Sequence, residues 1–464
     1  MANLFANSGY WKDIQNAVNL AVKGEINYIN IPTGISNFIN VGESWASSRV
    51  IIPADKLPLN IFGAPTIRDV YDQVVDWGTV LIMPWEMPTT GPDDNPAWFE
   101  VYDGSGTVNK SFRFSDIKLV GWRYYDFIAN GEPNWTIPYN PNNPGDRGST
   151  TMYTGLYLYN SPYNTPNQTV GIQDYRVDHC CFQDLGGSAI WLGPKETVYN
   201  HHIICGVVDH NRIVNSYGDP GRLGSSDYQY RTIGYGIGLR RWANDEWDPL
   251  LGNIAGHYLN YTTFIEDNYL SRWRHDICVN DGLHIVVRNN TFDKDYAVGT
   301  VDAHGSYATG PPDDPDRTYA VGSRLMEIYN NVFKNPTIGV WDPEAWCINV
   351  RGGAALISNN TVSGHTSFVW LNEEDGAINY QPKCKTDNVF IWNNNQGGAT
   401  TIGYDGRYLG GSYYLRMPNI TQDGFEYTLY TYPHPIVQGT PYHNVNIGSS
   451  PNNVPFIIKK IKGF

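Results

Sequence analysis

IEDNYLSRWRHDICVNDGLHIVVRNNTF, residues 265–292, contains one six-residue pattern twice, as IEDNYL (265–270) and VRNNTF (287–292). The same pattern recurs as VDHCCF (177–182), VDHNRI (208–213), IYNNVF (328–333), ISNNTV (357–362) and IWNNNQ (391–396). Every copy opens on an aliphatic residue. All but the first carry asparagine at the fourth position: Asn211, Asn268, Asn290, Asn331, Asn360 and Asn394, with Cys180 in the first register. A buried amide persists only when its donors and acceptors are satisfied, and identical side chains stacked along one axis satisfy each other. The column therefore predicts an asparagine ladder.

Repeats of about 22 to 40 residues, each too small to bury its own apolar face, indicate a solenoid rather than a set of globular domains. The spacing from Leu270 to Phe292 matches about one bare coil, so longer spacings measure loops inserted into coils. At 464 residues the chain is expected to form one long β-solenoid domain with end caps, since a solenoid core grows along one axis. Tyr10 to Lys23 places Ile14, Ala17, Val18 and Ala21 at helical spacing, which suits a cap over the open apolar end. The expected organisation is a cap helix over 1–25, coils with long loop insertions over 26–404, and a cap or oligomerisation segment over 405–464.

The formal charge of −14 argues against nucleic acid as partner, while a local basic groove for an acidic polysaccharide remains compatible with it. No run of 18 or more apolar residues occurs, so no membrane insertion is expected. The first residues, MANLFANSGYWKDIQNAVNLAV, show no signal peptide. A mature chain stripped of its leader, or a virion protein released by lysis, would look the same. Six cysteines lack metal-binding spacing, and most fall on predicted strands as buried thiols.

The helix, the strand-and-turn entry IPTG (31–34), the NIFGA turn (60–64) and the VxxNxF repeats together resemble the pectin-lyase-like superfamily of right-handed parallel β-helices over roughly residues 10–404. The resemblance implies an all-β, right-handed parallel β-helix with an N-terminal capping helix and an irregular β C-terminal cap. The superfamily spans polysaccharide lyases, epimerases, galacturonan hydrolases, viral tailspikes and non-catalytic surface proteins, so it sets the fold more firmly than the function.

A second strand follows each ladder turn: AIWLG (189–193), GIGLR (236–240), DICVN (276–280), TVDAH (300–304), CINVR (347–351), FVWLN (368–372) and TIGYD (401–405). Period two sends Ile190, Ile237, Ile277, Val301, Ile348, Val369 and Ile402 inward and their neighbours to solvent. Coils about 4.8 Å apart then merge the outward residues into one surface. Its centre holds Arg240, Asp276, Asn280, Asp302, His304, Asn349 and Arg351, with Asn372 beyond, and its ends hold Trp191, Phe368 and Trp370. A polar strip between aromatic platforms suits an extended polysaccharide, whose rings stack on aromatic faces and whose hydroxyls meet amides and carboxylates. The longest insertions (214–235, 241–263, 305–324 and 373–386) flank this strand.

Asp302-Ala303-His304 resembles the Asp-Pro-His element of mannuronan epimerases, with Ala303 for the proline and Gly305 where an acidic residue usually follows. The parallel implies His304 as general base or acid at a uronate C5, Asp302 orienting its ring, and Arg240 or Arg351 neutralising the substrate carboxylate. A lyase or epimerase of uronate polymers is thus the leading expectation. An inverting glycosidase built on Asp276 and Asp302 is one alternative, although the paired DD and GHG elements of galacturonan hydrolases are absent. The other is a structural or adhesive β-helix, extracellular or on a virion, for which the superfamily implies a homotrimer. His275 is inward by parity and is expected to be a core-edge histidine. The acidic loop PPDDPDR (311–317) could hold Ca²⁺ through Asp313, Asp314 and Asp316, but it lacks calcium-loop spacing. No metal or cofactor is otherwise expected.

Overall fold

A computed structural model describes residues 1–40, 43, 48–68, 74–83, 97–103, 111–121, 154–160, 170–185, 188–193, 202–215, 235–240, 262–273, 275–280, 284–293, 299–304, 323–335, 346–372, 386–404, 408, 410–423, 430 and 432–437. Among these, short strands line up into three long sheets of twelve, nine and ten strands. One coil shows the plan. His284–Arg288 lies in the first sheet, Thr291–Asp293 in the second and Val301–Ala303 in the third, and each pairs in parallel with the matching strand one coil away. The chain is a right-handed parallel β-helix.

The turn between the first and second sheets explains the repeat. His179, His210, Asp267, Asn289, Asn330, Asn359 and Asn393 all have φ between 52° and 59°. That left-handed conformation is tolerated by short polar side chains and resisted by branched ones. The next residue is the column residue, and its amide links coils. The Asn290 backbone N–H donates to Asn331 Oδ1 at 3.0 Å, and Asn290 Nδ2 donates to the Ile265 carbonyl at 2.9 Å. The same pair of bonds recurs at Asn211, Asn268, Asn331 and Asn360. At the head of the column the Cys180 N–H still donates to Asn211 Oδ1.

The inward residues of all three sheets form one continuous core, with Phe292 stacked on Phe333 at 4.9 Å. Helix Trp11–Leu20 buries Ile14, Ala17 and Val18 against its N-terminal end. Beyond Tyr404, Tyr413–Tyr414 extends the first sheet. Tyr430 and Ile436 then pack on the outer side of that sheet, against a second apolar cluster of Val207, Phe264, Val286, Tyr329, Ala354, Leu356 and Phe390. Cys180, Cys181, Cys278 and Cys347 are buried thiols.

Candidate functional site

In the third sheet Ile190, Ile237, Ile277, Val301, Ile348, Val369 and Ile402 occupy one register column, as the strand pattern predicts. One outward column therefore runs Glu100, Tyr157, Trp191, Gly238, Cys278, Asp302, Asn349, Trp370 and Gly403. Asp302 is its chemical centre. The carboxylate is fully buried and accepts from Arg351 Nη2 at 2.6 Å, Arg351 Nε at 3.1 Å and Asn349 Nδ2 at 2.9 Å. His304 Nε2 lies 2.7 Å from Asp302 Oδ2, and His275 Nε2 lies 3.3 Å from the same oxygen. Burial alone would raise the Asp302 pKa, but Arg351, then His304 and His275, hold it well below the ordinary carboxylate range.

His304 sits between opposite charges. Nε2 faces Asp302, while Nδ1 lies 3.1 Å from Arg351 Nη1. A guanidinium has no lone pair to offer, so Nδ1 is the acceptor and the ring proton belongs on Nε2. Burial works against protonating this imidazole, yet the Asp302 carboxylate outweighs it and raises the pKa well above the usual histidine value, with Arg351 opposing. Two tendencies meet here: Asp302 attracts a second proton, and Arg351 Nη1 occupies the position where that proton would sit. With Nδ1 accepting from Arg351 the ring is neutral.

His275 belongs to this centre, which the parity argument did not anticipate. It is buried, its Nδ1 contacts the Gly299 carbonyl at 3.1 Å, and its ring is flanked by Tyr235 and Trp346 at 5.6 and 5.9 Å. Gly299, with φ of 41°, makes the second stacking possible, because a methyl group there would overlap the Trp346 indole. Tyr235, His275, Gly299 and Trp346 stand two positions before Ile237, Ile277, Val301 and Ile348 of the inward column. Extending the sequence register upstream by two residues would have found them.

Several expected site residues occupy other roles. Phe368 is fully buried in the core, not at the end of an exposed strip. Asp276 is fully buried too, in the column of Ala189, Gly236, Thr300, Cys347 and Phe368 that opens each strand. At the bend where a coil enters the sheet, the corner and not period two sets side-chain direction, so Phe368 enters the core and Asp276 is covered. The glycosidase alternative needs Asp276 and Asp302 open to a glycosidic oxygen and a water, and neither carboxylate is exposed. Asn349 and Asn372 are buried, Asn349 as a donor to Asp302. Arg240 and Asn280 pair backbone to backbone in adjacent coils, while their side chains, and the acidic loop with Asp313, Asp314 and Asp316, lie outside the described residues.

Trp191 and Trp370 are half-buried on the outer face. Each indole lies across a glycine of the next coil, Gly238 and Gly403, where a methyl group would collide with the ring. On the N-terminal side, Tyr157 and Tyr159 continue the aromatic face, with Tyr102 tilted against Tyr159 at 5.2 Å. Beneath them Glu100 is buried and ion-paired to Arg49 at 2.7 Å.

The donor atoms of His275, Asp302 and His304 lie within 4.8 Å of one another, a set whose chemistry would suit a transition metal. The contact from His275 Nδ1 to a backbone carbonyl is the usual orienting device of a metal-binding histidine. Arg351 argues the other way. It brings a positive charge to the same carboxylate, and by donating to His304 Nδ1 it leaves the proton on the nitrogen that would have to bind the ion. As arranged, the residues do not fit a metal.

Comparison with protein-family models and with curated proteins finds no match. Solved structures of similar architecture include an alginate lyase from Paenibacillus sp. str. FPU-7, at 11% identity over 88% of this chain and 99% of that one, with a TM-score of 0.40. A mannuronan C-5 epimerase A-module from Azotobacter vinelandii shows 12% identity over 89% and 97% of the two chains, with a TM-score of 0.33. A tailspike mutant of E. coli bacteriophage HK620 shows 13% identity over 87% and 55%, with a TM-score of 0.40.

Proposed function

We propose that this chain is a carbohydrate-active β-helix that binds an extended uronate polymer along the outer face of its third sheet. It acts on that polymer as a lyase or epimerase, outside the cell or on a virion surface. The observation that carries this reading is the His304 imidazole, near the surface beside a buried, arginine-paired Asp302, in a column that bears Trp191 to one side of it and Trp370 to the other. A histidine backed by a carboxylate can take a proton from carbon, since Asp302 stabilises the imidazolium that forms. The C5 proton of a uronate is the one acidified by the adjacent carboxylate. After its removal, expulsion of the C4 oxygen gives an unsaturated product, and reprotonation on the opposite face gives the epimer.

Incubation with alginate and with polygalacturonate tests this, following ultraviolet absorbance for elimination and deuterium uptake at C5 for epimerisation. We expect one signal with the wild type, and its loss by at least a hundredfold in His304→Gln and Asp302→Asn. Neither signal from any uronate polymer would overturn the catalytic reading. One observation favours a second reading, that of an adhesive β-helix: both ring nitrogens of His304 are engaged in the free protein. That reading predicts binding to the polymer without any product, and sedimentation as a trimer would add to its support.

A further inference from the structure

Arg351 grips Asp302 side-on, through Nε and Nη2, at 3.1 and 2.6 Å. This fork leaves Nη1 as the one amino group directed away from the carboxylate, and it is Nη1 that donates to His304 Nδ1 at 3.1 Å. Both side chains are near the surface, with 15% and 12% exposure, whereas Asp302 beneath them is fully buried. The lone pair of the candidate base is therefore covered by a cation that itself lies within reach of ligand.

We propose that Arg351 gates His304: its Nη1 caps the Nδ1 lone pair in the free protein, and an anionic sugar uncaps it by drawing Nη1 onto its own carboxylate. This rests on the reading of His304 as the group that meets substrate. A ligand carboxylate is a stronger acceptor for a guanidinium than a neutral imidazole is, because the bond becomes charge-assisted. A neutral sugar offers only hydroxyls and leaves the cap in place. The Asp302 fork holds the rest of the guanidinium, so uncapping needs a tilt and not a withdrawal of Arg351. Once exposed, Nδ1 takes the proton from C5 and becomes N–H. The C–H electron pair passes into the sugar carboxylate, which Nη1 now faces, and the imidazolium keeps its Nε2 proton against Asp302. The same arginine thereby selects the ligand and releases the base, making anionic character a condition for reaction and not only an aid to affinity.

Two-bond ¹H–¹⁵N correlation spectra of the histidine-labelled full chain at neutral pH read the tautomer directly. In the wild type His304 should show a protonated Nε2 and an unprotonated, hydrogen-bonded Nδ1. Trigalacturonate or trimannuronate should shift the Nδ1 resonance, whereas galactotriose and mannotriose should leave it in place. In Arg351→Lys the compact ammonium keeps the charge beside Asp302 but cannot span both partners, so Nδ1 should move toward the protonated range. A wild-type spectrum with Nδ1 protonated overturns the cap. Equal response to acidic and neutral trimers, or response to neither, overturns the gate. Should Arg351→Lys fail to fold, the wild-type arms still decide. A wild type that shows the capped tautomer and responds only to the acidic trimers, yet forms no product, retains the gate and refutes the catalytic reading.

Discussion

Asn290 carries out five hydrogen-bonding duties with one side chain. Its Oδ1 accepts from the Asn268 backbone N–H at 2.9 Å and from Asn268 Nδ2 at 3.0 Å. Its Nδ2 donates to the carbonyls of Ile265 and Arg288 and to Asn331 Oδ1. Asn290→Ala would leave a buried N–H and at least one buried carbonyl unsatisfied, each costing about 1–3 kcal/mol. The expected loss is about 3 kcal/mol or more, measured by urea denaturation, and a loss under about 1 kcal/mol would show that the column is dispensable. This duty is why the fold was legible: every coil poses the same backbone problem at the same turn, so the same amide returns in the sequence. The left-handed residue before it leaves a weaker trace, because His179, His210 and Asp267 meet the requirement as Asn289 does. A search for asparagine alone passes over that column.

At the scale of the third-sheet strands, legibility depends on distance from the bend. Residues inside a strand obey period two, so Asp302 and Trp370 fall where the pattern puts them. Residues at its entrance follow the corner instead, which is why Asp276 and Phe368 are buried and why His275 joins the site from two positions upstream of Ile277. The register brings Arg351 beside Asp302 across 49 positions of chain, but its pairing with that carboxylate, and not with a substrate's, depends on side-chain direction, which spacing alone does not give. The outer-face tryptophans make a prediction that belongs to the strand pair. Because Trp370 lies over Gly403, Gly403→Ala should tip the indole out of the face with little effect on the buried core. We expect binding of a uronate oligomer to weaken about tenfold, as suits loss of one aromatic contact of about 1 kcal/mol or more, with a red shift in tryptophan emission. Unchanged affinity alongside the red shift would remove Trp370 from the binding face.

At the scale of the whole molecule, the segment beyond Tyr404 does more than end the solenoid, because it ties several coils of the first sheet together. The His434 N–H donates to Glu266 Oε1 at 2.9 Å, Arg288 Nη1 donates to the Tyr430 carbonyl at 3.0 Å, and the Tyr432 hydroxyl donates to Asp267 Oδ1 at 2.7 Å. His434 itself is buried, and its Nδ1 accepts from the Ile436 N–H at 3.2 Å, so the ring must be neutral on that side. Burial, reinforced by Arg288 and Arg176, lowers its pKa from 6.5 to about 3. The unfolded chain therefore takes up this proton as pH falls through about 6.5, while the folded chain holds it off until about 3. His434 thus contributes its full share of stability above about pH 6.5, and that share falls by about 1.4 kcal/mol per pH unit on acidification toward 3. Three neighbours act in the opposite sense: burial raises the Glu266 and Asp267 carboxyls, and Asp209, against burial, raises His210, so each favours the folded state as protons are added. The difference between wild type and His434→Asn isolates the one group, since the Asn oxygen can accept from Ile436 without titrating. Urea denaturation from pH 7 to 4 should show the wild type losing stability relative to that variant once the pH falls below about 6.5. Parallel curves would mean that the strap lifts off before His434 is charged, and that the coils of the first sheet hold together without it.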